Sequence, residues 1–191
     1  MFENIHLYDI KNAERNVHFA DESYLISYPE IIKYFKNIKI IKKSNLIIGI
    51  HFAYGWMPTA FDFRSNEFEK ALKILSKART KIELSTDDLT VLKCLFNNSI
   101  VGTSKLLHFI NPIKYAIWDS RVCTFIKHGK PNYNLFKKPE TYLEYLNFCN
   151  KIIEMRGYNI IHQRIKRKIR NNISKLRSLE LIMYFNGKTN D

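Results

Sequence analysis

The chain lacks the residues that would place it in several common classes. Its three cysteines, Cys94, Cys123 and Cys149, are odd in number and far apart. They offer neither a disulfide framework nor a metal-ligand spacing, and read as reduced core thiols. Six histidines form no ligand motif. No His-x-Glu stands with a Cys-x-x-Cys, so the zinc deaminase pattern is missing, and neither a metal nor a cofactor is expected. A phosphate-cradling P-loop and a nucleophile elbow are also absent. No uncharged apolar run approaches the roughly 20 residues that span a bilayer. The longest, Leu46 to Tyr54, is too short, and the first ten residues lack the basic and apolar regions of a secretory signal. A cytoplasmic chain with no membrane partner is therefore expected. Strand-like alternation is scarce, confined to Ile38 to Ile41 and Leu46 to Phe52, and there is no internal repeat or low-complexity linker.

Acidic residues are the other shortage. Against 31 Lys and Arg stand 18 Asp and Glu, a formal net charge of +13, which points to an acidic partner, nucleic acid first. A solvated basic surface is the plain alternative. At 191 residues the chain can bury a real core, as one compact domain or as two small lobes sharing a cleft.

What is present is helical periodicity. Apolar residues from Leu25 to Ile40 predict a helix starting near Tyr28 with Pro29 in its first turn. Phe68, Ala71, Leu72, Ile74 and Leu75 predict another over Asn66 to Ala78. Ser85 or Thr86 caps a third over Asp87 to Asn97, whose early acids suit the helix dipole. Pro139 starts a helix running to about Arg156, before Gly157, and a last one covers Ser174 to Phe185. Loops are expected at Lys42 to Asn45, Tyr54 to Ser65 and His128 to Lys138.

The most specific stretch runs from Ser99 to Asp119. Gly102 suits a positive φ in a tight turn, and Thr103 or Ser104 then caps a short helix over Ser104 to Ile110. Exposed amides at such a turn suit a phosphate oxygen. Lys105 and His108, three apart, share one helix face, and Pro112 ends the helix. The chain returns through Tyr115, Ile117 and Trp118 to Asp119, an N-cap candidate for the helix containing Val122, Phe125 and Ile126. An amine and a carboxylate are thereby expected near one another.

In these residues, Ile100-Val-Gly-Thr-Ser-Lys105 and Ile117-Trp-Asp-Ser-Arg-Val122, the chain resembles the helix-hairpin-helix DNA glycosylases, in particular the 8-oxoguanine glycosylase-like branch. The resemblance covers about residues 85 to 130. It implies a mainly α, compact glycosylase-like fold over 1–191, with a cleft between two helical lobes and little or no sheet. It further implies base flipping and cleavage of an N-glycosidic bond in double-stranded DNA by a monomer, with Asp119 and Lys105 catalytic. Asp119 would stabilise positive charge on the sugar, while Lys105 would attack C1′ or, with water as nucleophile, bind phosphate. An oxidised purine or a modified pyrimidine in bacteriophage DNA, the latter an antiviral defence activity, are the substrate classes. The hairpin carries one glycine where the family usually has two, and Lys105 and Asp119 stand closer than in lysine-using members. A non-catalytic nucleic-acid-binding protein of the same fold is the alternative. The four-cysteine cluster of some members is absent, so no iron–sulfur cluster is expected.

Two further features complete the candidate set. In Phe52 to Phe63, Gly55 and Pro58 break regular structure. Tyr54, Trp56 and Met57 are therefore candidate base-pocket walls, with Asp62 as a reader of a base edge and His108 and Trp118 as neighbours. Packing of these aromatics against the core is the competing reading. His162 to Arg177 carries seven Lys or Arg in 16 residues and no acid. It reads as one helix anchored by Ile165, Ile169, Ile173 and Leu176, presenting Arg164, Lys166, Arg167, Lys168 and Arg170 to DNA. Gly102, Thr103, Ser104 and Arg121 join that DNA-binding set.

Overall fold

The computed structural model describes residues 2–19, 23–57, 61, 65–129 and 133–187. Among them every regular element is a helix, as expected of a mainly α chain, and there is no strand. Among the described residues no helix is long and apolar enough to cross a membrane. The chain divides into two compact units: Ser23–Tyr115, and Met1–Glu22 together with Ala116–Asp191.

The central unit holds α2 (Ser23–Asn37), α3 (Lys43–Tyr54), α4 (Phe68–Ala78), α5 (Thr86–Leu95) and α6 (Ile100–Ile110). It is built around α6, against which all four of the others pack. Every residue of α6 from Gly102 to Phe109 is buried, so this helix has no solvent face and its polar groups must bond internally. Gly49 on α3 permits the close approach. A Cβ there would lie 2.6 Å from Leu106 Cδ1 and 2.6 Å from Phe35 Cζ.

Four expectations are corrected in this unit. Leu46 to Phe52 is helix rather than strand: Leu46, Gly49, Ile50, Ala53 and Tyr54 are buried at three- and four-residue steps. Apolar residues between them concealed that period. The Lys42 to Asn45 loop is the start of the same helix, closed by a bond of 2.9 Å from the Lys42 amide to Asn45 Oδ1. Ile38 to Ile41 forms no regular element. Pro29 lies inside α2 rather than in its first turn.

The other unit contains α1 (Leu7–Arg15), α7 (Ser120–Lys127), α8 (Tyr133–Phe136), α9 (Pro139–Glu154), α10 (Tyr158–Ile169) and α11 (Lys175–Asn186). Here α11 is the central helix, packed by α1, α7, α9 and α10, with Leu176 to Met183 continuously buried. Its polar side chains are matched internally. Arg177 pairs with Glu180, both 2% exposed, and Ser178 Oγ lies 2.5 Å from His162 Nδ1.

The expected single basic helix over His162 to Arg177 is in fact two. Arg170 takes a left-handed conformation (φ 54°) that ends α10, and Ser174 caps α11 by accepting the Arg177 amide. The three cysteines are free thiols. Burial pushes the Cys123 and Cys149 thiols up, which suits core residues rather than nucleophiles.

Candidate functional site

The turn before α6 is not made by its glycine. Asn97 and Asn98 supply the left-handed residues (φ 51° and 61°), and Ser99 is the N-cap, its hydroxyl accepting the Gly102 amide at 3.2 Å. Gly102 sits in the first turn of α6, where a Cβ would meet Phe96 Cδ1 at 2.7 Å, so its task is close packing. Thr103 and Ser104 are fully buried and bond back to the Ser99 and Val101 carbonyls. The expectation that Gly102, Thr103 and Ser104 hold a phosphate is therefore corrected. One amide is taken by the cap, and both hydroxyls are inside the core.

Asp119 is delivered by a segment without ladder partners. Ala116, Ile117 and Trp118 are buried in non-helical backbone. Tyr142 and Tyr145 on α9 satisfy it, their hydroxyls each donating at 3.0 Å to the Ala116 and Ile117 carbonyls. Trp118 is inside the core, its indole N–H on the Phe136 carbonyl at 3.0 Å and its ring 4.6 Å from Tyr145. A wall for an extruded base needs an open ring face, so Trp118 leaves that set.

At the end of this anchored segment Asp119 caps α7. Its Oδ1 accepts the Arg121 amide at 3.1 Å, and Ser120 Oγ stands 3.5 Å from the same oxygen. The residue is half-buried, and Oδ2 accepts no hydrogen bond among the described residues. Asp119 is thus gripped through one oxygen at a helix N-terminus, where the helix dipole favours an acidic side chain. The Arg121 guanidinium lies over the Tyr184 ring, 4.7 Å from its centroid.

Lys105 belongs to the central unit and Asp119 to the other. Only 5% exposed, Lys105 donates from Nζ to the Trp56 carbonyl at 3.1 Å. His108, fully buried, has Nδ1 2.6 Å from the Tyr115 carbonyl and Nε2 2.9 Å from the Tyr28 hydroxyl. A carbonyl only accepts, so Nδ1 carries a proton and donates to Tyr115, while Nε2 is hydrogen-bonded to the Tyr28 hydroxyl. That buried relay makes His108 a packing residue of the core rather than a base-pocket surface.

Of the predicted pocket walls, Tyr54 is buried with its hydroxyl on the Phe96 carbonyl at 2.8 Å. Met57 is half-buried, and Asp62 lies outside the described residues. Trp56 lines a cavity. This is a groove of about 660 Å3 between α2 and α3, shared with Phe52, Tyr34, Glu30, Lys33 and Asn37 among others. Sequence reasoning missed the α2 side of this groove. The signal was there, since Ser27, Glu30, Lys33 or Tyr34, and Asn37 recur at three- or four-residue steps along one helix face.

The basic helix is partly neutralised. Glu14 on α1, 2% exposed, accepts from Lys168 at 2.8 Å and from Arg164 at 3.5 Å. Lys168 Nζ also reaches the Glu14 backbone carbonyl at 2.7 Å. Arg164 and Lys168 therefore tie α10 to α1 while both stay exposed. Lys166, Arg167 and Arg170 form no ion pair among the described residues, and Arg167 and Arg170 are exposed. The compensating acid lies some 150 positions away in sequence, so no local pattern announces it.

No protein-family model, curated protein or solved structure matches the chain. Among the described residues no His, Cys, Asp and Glu group could hold a metal ion.

Proposed function

We propose that the chain is a DNA glycosylase that hydrolyses the N-glycosidic bond of an extruded damaged or modified base, with Asp119 as its essential charge. What carries the reading is the Asp119 carboxylate, held at the head of α7 through Oδ1 with Oδ2 free of hydrogen bonds from the described residues. In this chemistry the C1′–N bond breaks with its electron pair leaving on the base, and positive charge builds on the sugar. A fixed, half-buried anion lowers the barrier because its attraction grows as that charge develops. Water then adds at C1′, its proton passing to the departing base or to the carboxylate. Water is assigned as nucleophile rather than Lys105, whose Nζ is buried on the Trp56 carbonyl. The net charge of +13, with Lys166, Arg167 and Arg170 on and beside α10, supplies the attraction for the phosphate backbone.

The test is formation of abasic sites on a panel of duplexes carrying oxidised purines or modified pyrimidines. Product from one class, without an adduct trapped by borohydride, is the expected result. A trapped adduct would return the nucleophile's role to Lys105. Binding without product on any duplex would favour the non-catalytic nucleic-acid-binding protein, a reading motivated by the closed Gly102 to Ser104 turn.

A further inference from the structure

The groove between α2 and α3 plays no part in that chemistry, yet it is built like a ligand site. Its roughly 660 Å3 falls within the range of ~300–1,000 Å3 in which small-molecule pockets occur. Two of its walls are rings held from behind. Trp56 is half-buried, gripped by Tyr24 at 5.7 Å and Phe109 at 5.0 Å between centroids, and its indole N–H donates to Ser27 Oγ at 3.1 Å. Phe52 stands one helical turn before it, braced edge-on by Tyr34 at 5.5 Å. Rings fixed in this way lose little freedom when a planar ligand stacks on them.

The rim is polar. Glu30, Lys33 and Asn37 are exposed along α2, and the Glu30 and Lys33 charges stand 4.0 Å apart, loosely paired and open to water. A purely apolar occupant would make no use of these three polar groups. A planar heterocycle with N–H and C=O groups on its edge and a phosphate attached uses both walls and rim. In a chain of net charge +13 the available molecule of that chemistry is a nucleic-acid strand.

We propose that this groove binds one unpaired nucleobase of a DNA strand, stacked on Trp56 and Phe52, with Glu30 and Asn37 reading its edge and Lys33 meeting its phosphate. The inference needs nucleic acid as the partner but not the excision step. It gives the central unit a strand-holding role of its own.

Gly55 provides the means of testing it. This groove residue has ordinary right-handed backbone (φ −58°, ψ −16°), and a Cβ there would touch only the His51 and Phe52 carbonyls, at 3.4 and 3.5 Å. Gly55→Met thus fills the groove without straining the helix end. The full chain is titrated with a thymidine pentamer and with a pentamer of abasic residues, following tryptophan fluorescence. Trp118, buried in the other unit, is the remaining tryptophan, and Trp56→Phe assigns the signal.

The thymidine pentamer is expected to bind about five- to 150-fold more tightly than the abasic one, the usual worth of one base–aromatic stack. Gly55→Met should abolish that preference with unchanged thermal unfolding. Lys33→Glu, on a largely exposed side chain, should weaken both pentamers alike. Equal affinity of the two pentamers for the wild type would overturn the proposal, as would an undiminished preference in Gly55→Met. Binding of an apolar dye with no preference between pentamers would assign the groove to a protein partner instead. Stacking with no excision on any duplex would leave this inference standing and refute the catalytic one.

Discussion

Substitutions at Asp119 separate its structural task from its chemical one. As N-cap, it satisfies the Arg121 amide through Oδ1, and asparagine offers an acceptor of the same shape at the same place. Asp119→Asn therefore keeps the cap and loses only the charge–dipole attraction, about 0.3–1 kcal/mol at a helix N-terminus. Asp119→Ala removes the acceptor as well, at a further cost of about 1 kcal/mol. For a chain of this size each kcal/mol lowers the melting temperature by about 2–4 °C. By circular dichroism, Asp119→Asn should melt within a few degrees of wild type and Asp119→Ala lower still. If the carboxylate acts on a sugar cation, removal of its charge costs about a hundred- to a thousandfold in rate, the scale seen for a preorganised electrostatic group. Single-turnover abasic-site formation should then fall by that factor in Asp119→Asn, although its fold is nearly intact. Wild-type excision by Asp119→Asn would refute the assignment and leave the residue a cap.

Three other outcomes follow from the geometry. Tyr28→Phe removes the hydroxyl bonded to buried His108 Nε2, while Nδ1 stays committed to the Tyr115 carbonyl, and should cost about 1–3 kcal/mol in urea denaturation. A cost below a few tenths would show that the relay is not formed. Lys166→Glu with Arg167→Glu should weaken duplex binding and flatten its salt dependence at unchanged stability. Lys168→Glu, by contrast, should destabilise, because it places a carboxylate against buried Glu14. Equal binding by the double variant at every salt concentration would remove α10 from the interface. Burial, with Lys166 and Lys175 nearby, holds the His162 imidazole below its usual value of 6.5. Below that pH the unfolded chain takes up a proton that the folded one resists, so stability should decline as pH falls from about 6.5. His162→Gln should flatten that slope, and an identical pH profile for the variant would refute the attribution.

Much of the architecture was legible in the residues. Pro139, the Ser85 cap with Asp87 and Asp88, and the Asp119 cap act through bonds within one or two turns, so local sequence contains their physics. The helical reading failed where burial has no polar counterpart. Leu46 to Phe52 hides its helical period, because apolar residues continue onto the less buried side of α3. At the candidate site, Asp119 could be read from its position before a helix. Its open Oδ2 could not, since that depends on which donors the surrounding fold brings near.

By itself the sequence determined a helical chain of strong positive charge, with an acid at the head of α7 and aromatics around Trp56. Only tertiary structure decided that Gly102 packs rather than turns, that Lys105, His108 and Trp118 are interior, and that Glu14 pairs with Arg164 and Lys168 of α10. It alone formed the groove at Trp56. Each of these is a long-range contact, and a one-dimensional pattern carries no information about which distant side chain arrives to fill a given space or bond a given charge.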